Sequence, residues 1–169
     1  MSLDKIFAYK QSANFAIKEI AAEEKNGVLT QDLTYLNPFG QRRGAYYVRP
    51  AAGNEPTPCV LWVHWYETEA EDSNRKQFLA EAQSLAQHGT ASLLIETMWS
   101  ERAWFMERDH TQDKQASINQ VVELRQAMDL LLSQPGVDTD NFAYVGHDFG
   151  AMYGVVMGAV DPRPKFYVL

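Results

Sequence analysis

In the stretch YVGHDFGAMYG, residues 144–154, Asp148 stands between Gly146 and Gly150, each two residues away. A carboxylate with an ordinary pKa of about 3.9 is ionised at neutral pH and needs no base to act as a nucleophile. Opening an epoxide or displacing a halide would leave an alkyl ester, whereas attack on an ordinary ester would leave a reactive anhydride. Asp148 therefore favours a saturated electrophilic carbon. Aspartate is also a preferred helix N-cap, and the residues alone leave both readings open. Glu96, closing the apolar run TASLLIET, is either a second carboxylate facing the same site or a solvated strand end. Trp99, Trp104, Phe105 and Met106 follow it and either line an apolar pocket, with Arg102 or Arg108 to meet an anion, or cover the sheet edge. His64 is expected to tie down the loop after its strand, and His147 to pack beneath the turn. Neither is assigned catalysis.

These residues fall at the ends of short apolar runs. CVLWVHW (59–65) and TASLLIET (90–97) are nearly unbroken and rich in β-branched and aromatic residues, as strands covered on both faces are; NFAYVGH (141–147) reads as a third strand of the sheet. KFYVL (165–169) reads as a fourth. Between them lie helical patterns: Phe78, Leu79, Ala82, Leu85 and Ala86, started by Asp72 or Ser73 and closed by Gly89; then Ile118 to Leu132, ended by Pro135-Gly136; then 151–160. VLTQDLTYL (28–36) and GAYYVRP (44–50) flank a turn-rich segment and predict an antiparallel hairpin. Phe15, Ile17, Ile20 and Ala21 recur at helical spacing up to Asn26-Gly27, so residues 1–27 are expected to be an N-terminal helical segment before a domain over 28–169.

Strands alternating with helices predict an α/β fold, a three-layer α/β/α arrangement with a mostly parallel sheet behind the hairpin. Ligands of such sheets bind at the carboxyl ends of the strands, where HWYETEAED, ETMWSERAWF and HDFG converge. The 169 residues, 46% hydrophobic, suit one domain. A net charge of -7 without a basic cluster beyond Arg42-Arg43 argues against nucleic acid and anionic membrane partners and leaves a small-molecule substrate. Cys59 is the sole cysteine, so neither a disulfide framework nor a cysteine-rich zinc site can form. With no signal-peptide pattern, the expected compartment is the cytoplasm. No cofactor and no metal are expected.

Gly146-His147-Asp148-Phe149-Gly150, between a strand and a helix, resembles the G-x-S-x-G nucleophile elbow of the α/β-hydrolase superfamily, with aspartate in the serine position. The order of hairpin, strand ending in His64, helix, strand, helix and elbow is similar to that of dienelactone-hydrolase-like members over residues 28–169. The aspartate is similar to that of haloalkane dehalogenases and epoxide hydrolases. The resemblance implies that Asp148 is the nucleophile, on strained backbone, and that the Phe149 N–H is one oxyanion donor. Tyr66 or Trp65 would supply the second from its backbone N–H. Phe149 lacks the side-chain N–H with which dehalogenases hold a halide. In the superfamily the triad acid and histidine follow the nucleophile, yet His64, His88, His110 and His147 all precede Asp148 and only Asp161, in a D-P-R turn, follows. The expectation is an incomplete α/β-hydrolase fold, C-terminally truncated, without turnover as this chain and self-associating through an exposed sheet edge. The alternative is a noncatalytic binding scaffold. His147-Asp148 also resembles the dipeptide of metal-dependent HD phosphohydrolases, but further ligands at recognisable spacing are missing.

Overall fold

Seven strands form one sheet in the order β1-β2-β3-β5-β4-β6-β7. The computed structural model describes residues 3–11, 14–53, 56–69, 74–101 and 103–169. The strands are β1 (Lys18–Lys25), β2 (Val28–Leu36), β3 (Arg42–Pro50), β4 (Thr57–Val63), β5 (Ala91–Ile95), β6 (Val137–Gly146) and β7 (Phe166–Val168). The helices are α1 (Leu3–Ile6), α2 (Leu79–Gln87), α3 (Trp104–Glu107), α4 (Asp113–Leu132) and α5 (Phe149–Val160). No helix among the described residues is long and apolar enough to cross a membrane.

The β2–β3 hairpin and the strand–helix alternation follow the sequence pattern, but two expectations need correction. The first concerns residues 15–25, where a strand replaces the expected amphipathic helix. β1 pairs antiparallel with β2 from Lys18↔Thr34 to Lys25↔Val28, with an irregularity between Glu19 and Ala21. Ile17 and Ile20 are exposed and only Phe15 enters the core, so the apolar residues that mimic helical spacing do not share one buried face. Asn26 and Gly27, at φ 53° and 75°, are the turn of a hairpin, for which Asn-Gly is a strong signal.

The second correction concerns the sheet, which is mixed and not mostly parallel. β4 pairs in parallel with β5 and β6, and β6 with β7, but β1, β2, β3 and β5 form an antiparallel series. The hairpin docks its second strand directly against β5, which carries the antiparallel ladder into the centre of the sheet. The N-caps offered by Asp72 and Ser73 lie outside the described residues; α2 starts after Phe78 with no side-chain cap.

Alternation along the central strands feeds two separate cores. Leu61 and Val63 of β4, with Leu93 and Ile95 of β5, meet Val121, Leu124 and Met128 of α4 and Tyr153 and Met157 of α5. Val60, Trp62 and Leu94 instead meet Ala82 and Ala86 of α2. At the far end of the sheet, Phe166, Val168 and Leu169 are exposed. The parallel strands β4, β5 and β6 all finish at one edge, so the segments after Val63, Ile95 and Gly146 are brought together there.

Candidate active site

Two glycines set the shape of the turn after β6 by excluding everything larger than hydrogen. A Cβ on Gly150 would lie 2.0 Å from the Val63 carbonyl oxygen, and one on Gly146 would lie 2.4 Å from the Gly150 carbonyl oxygen. The start of α5 therefore rests against the backbone of β4, a contact that no other residue type permits. The Tyr144 hydroxyl donates to the Gly150 carbonyl at 2.7 Å from within the core and holds the helix start from below. Asp148, between the glycines, has φ 53° and ψ −114°, a conformation that costs a non-glycine residue on the order of 1–3 kcal/mol. Its carboxylate makes no cap bond to α5, so the relaxed N-cap arrangement is absent. The side chain is exposed at the carboxyl edge. Phe149 heads α5, where the first N–H groups of a helix have no intrahelical partner.

The segment after β4 completes the surroundings. The Tyr66 N–H donates to Asp148 Oδ2 at 3.3 Å, across 82 positions of sequence. Trp65 cannot share this role, because its N–H donates to Gln77 Oε1 at 3.0 Å. Of the two residues the sequence offered, the structure turns Tyr66 toward the carboxylate. Gln77 carried no signal in the sequence, since it acts through a contact that only the fold creates.

His64 is buried and fully engaged. Its Nδ1 lies 2.7 Å from the Trp65 carbonyl, which can only accept, so the proton sits on Nδ1 and Nε2 accepts from the hydroxyls of Ser100 (3.0 Å) and Thr97 (3.1 Å). Burial, outweighing the Trp65 carbonyl and the negative charge of Glu96, lowers its pKa from 6.5 to about 4. His64 thus ties the loop after β4 to the loop after β5, as its sequence context suggests. Between pH 6.5 and 4 the unfolded chain binds a proton that the folded chain does not. Stability from this group is complete above pH 6.5 and falls with pH across that window, by roughly 3 kcal/mol in total. Denaturant unfolding at pH 7 and pH 4.5 should show wild type losing more stability than His64→Gln; equal losses would contradict the assignment.

His147 departs from expectation: it is exposed and does not pack beneath the turn. Its ring instead meets the edge of Trp65, 5.4 Å between centroids, because the strained turn rotates both His147 and Asp148 outward. Glu96 is not turned onto Asp148. Its Oε2 accepts the Gly44 N–H at 2.6 Å and so prolongs the contact between β5 and β3.

The aromatic segment after β5 comes together around Phe149. Trp99 is fully buried, stacks on Phe149 and Tyr153 at 5.6 and 5.2 Å, and donates its indole N–H to the His64 carbonyl at 3.0 Å. Trp104 and Phe105 pack against both Tyr66 and Phe149, with centroid distances of 5.5–6.3 Å. Arg108 lies over the Trp104 and Phe105 rings, donates to the Phe105 carbonyl and bridges to Asp113 at 3.1 Å. Its charge is committed to the loop; Arg102 lies outside the described residues. Asp161 is remote from Asp148 in its bonding and is held by Arg125 and Arg163. Among the described residues no cluster of His, Cys, Asp and Glu could hold a metal ion.

No protein-family model matches the sequence, and no curated protein is significantly similar to it. Solved structures do match the fold. An acetyl xylan esterase from Paenibacillus sp. R4 superimposes with a TM-score of 0.72 at 18% identity, covering 99% of this chain and 63% of that one. Acetyl xylan esterase 1 from Thermoanaerobacterium gives 0.66 at 14% identity, covering 99% and 62%. A glucuronoyl esterase from Solibacter usitatus gives 0.66 at 14% identity, covering 95% and 52%. The chain spans less than two thirds of each. These esterases belong to the α/β-hydrolase superfamily, and the chain shares their α/β fold.

Proposed function

We propose that the chain carries a nucleophile site of the α/β-hydrolase type, with Asp148 at an elbow attacking a small apolar substrate, an epoxide before a haloalkane, and forming the ester without turning it over. The observation that carries this reading is the conformation of Asp148: strained, exposed, without a cap bond, and touched at Oδ2 by the Tyr66 N–H. Strain of this kind survives only where the surroundings enforce it, and here the two glycines and Tyr144 do so. The kinship proposed is with dienelactone-hydrolase-like proteins modified by an aspartate nucleophile.

In the first step the free carboxylate oxygen bonds to an epoxide carbon, the C–O bond of the ring breaks, and the alkoxide takes a proton from water. Oδ2 becomes the ester carbonyl oxygen, already beside the Tyr66 N–H, and the Phe149 N–H at the head of α5 is assigned as its second donor. When water then attacks the ester, charge develops on that oxygen, where the two N–H groups stabilise it. The second step needs a base. His64 has both ring nitrogens engaged and is neutral, so it does not serve. The names of the similar structures suggest a sugar ester as substrate. Asp148 counts against that, because carboxylate attack at an acyl carbon gives an anhydride. A halide is disfavoured because Phe149 offers it no side-chain donor.

The test is stoichiometry with an aryl glycidyl ether. The chain should consume one equivalent and accumulate no diol, and Asp148→Asn should consume none. Steady diol formation that survives Asp148→Asn would refute the proposal, as would an inert wild type.

A further inference from the structure

We infer that Trp104 and Phe105 are positioning residues, which fix the two backbone N–H donors relative to Asp148 by clamping the side chains of Tyr66 and Phe149. The inference rests on the reading of Asp148 as nucleophile. Tyr66, Trp104, Phe105 and Phe149 form a closed set in which all six pairs of rings are in contact, at 5.5 to 6.3 Å between centroids. Rings this close leave no room for a ligand between them, so the set is a packed cluster and not an open cage. Its members come from three separate segments, after β4, after β5 and at the head of α5. One of them, Tyr66, donates its N–H to the Asp148 carboxylate, and another, Phe149, follows Asp148 directly as the first residue of α5.

The segment after β4 carries Trp65 and Tyr66, and its described backbone anchors are the Trp65 N–H on Gln77, the Trp99 indole on the His64 carbonyl, His64 Nδ1 on the Trp65 carbonyl at 2.7 Å and Asn74 Nδ2 on the Glu67 carbonyl at 3.2 Å. The ring cluster adds a hold on the Tyr66 side chain itself. The Tyr66 N–H itself makes a long bond, 3.3 Å, and small rotations of its peptide would break it. The Tyr66 side chain, held by Trp104 and Phe105, restrains that rotation from the other side of the Cα. Phe149 is held between this cluster and Trp99, which stacks on it at 5.6 Å. Arg108 in turn fixes Trp104 and Phe105 through its position over both rings and its bridge to Asp113 of α4. The donors are thus tied to the body of the protein by a chain of contacts: α4, Arg108, the aromatic pair, then Tyr66 and Phe149.

The experiment uses the full chain with Trp104→Leu, Phe105→Leu and the conservative Trp104→Phe. Phe105 is 43% exposed, so its variant is expected to fold even if Trp104→Leu does not. Amide hydrogen exchange at Tyr66, measured by NMR against the core amides of Leu61 and Val63, is the first readout. The second is the rate of Asp148 alkylation by styrene oxide at saturating and sub-saturating concentrations. In the Leu variants Tyr66 exchange should accelerate by about tenfold with the core amides unchanged. The maximal alkylation rate should fall by about tenfold, the half-saturating concentration should hold, and Trp104→Phe should restore both. An unchanged Tyr66 amide in a labelled protein overturns the inference. So does a defect confined to the half-saturating concentration, which would make the rings a substrate wall. A responsive Tyr66 amide in a wild type that never labels instead marks failure of the Asp148 reading.

Discussion

Gly150→Ala is expected to destabilise the protein by at least about 3 kcal/mol and to abolish any reaction at Asp148. The added Cβ would lie 2.0 Å from the Val63 carbonyl oxygen and 2.8 Å from its carbon, both backbone atoms of a central strand, so neither partner can rotate away. Relief requires α5 to move off β4, which dismantles the turn that displays Asp148. Gly158→Ala supplies the control within the same helix. Its Cβ would meet only the Tyr167 ring, at 3.7 Å, and replacing a helical glycine stabilises by roughly 0.5–1 kcal/mol. Denaturant unfolding of both variants should therefore give shifts of opposite sign. Similar shifts in the two would show that close approach is not what the Gly bracket provides.

Asp161→Ala is expected to cost about 3–5 kcal/mol, the loss that follows when one partner of a buried ion pair is removed. Asp161 is buried and takes hydrogen bonds from Arg125 Nε at 3.0 Å and from Arg163 Nε and Nη2 at 2.8 and 2.7 Å. Arg163 also bridges to Asp129, and Arg125 reaches back to the Phe7 carbonyl at 2.8 Å. The network thus joins the end of α5, the last turns of α4 and the N-terminal segment. Burial opposes the charged form of Asp161, but the Arg163 and Arg125 guanidiniums overcome it and hold the carboxyl below the usual range. With a depressed folded pKa, the contribution is present above about pH 4 and is lost as pH falls through the folded value, below the window in which His64 acts. Urea unfolding at pH 7 checks the loss. A change under 1 kcal/mol would return Asp161 to consideration as an acid held for chemistry.

The Gly146–Gly150 bracket was legible in the sequence because it is a short pattern between a strand and a helix, although the backbone that excludes a Cβ at Gly150 is that of Val63 in β4. The buried strands were legible because both faces are covered, which leaves little polar residue in CVLWV or ASLLI. The strand at 18–25 is hidden in the sequence because Phe15, Ile17, Ile20 and Ala21 fall at helical intervals, and the Asn-Gly that stops a helix equally well turns a hairpin. The mixed sheet was missed because nothing in a hairpin's own residues says which strand it will dock against. The same holds for the site. Asp148 announces itself, whereas the contact of Gln77 with Trp65, the exposure of His147 and the closed ring cluster depend on segments far apart in the chain. Trp104 and Phe105 were recognisable as aromatic residues near the edge, but whether they line a space or fill one is settled only by packing.

Peptide mass spectrometry after exposure to styrene oxide tests the nucleophile assignment most directly. A single phenyl-hydroxyethyl adduct is expected on the peptide containing Asp148, formed once per chain, lost in Asp148→Asn and unaffected by His64→Gln under conditions where that variant is folded. Modification spread over Glu96, His147 and other exposed groups with Asp148 untouched would contradict it.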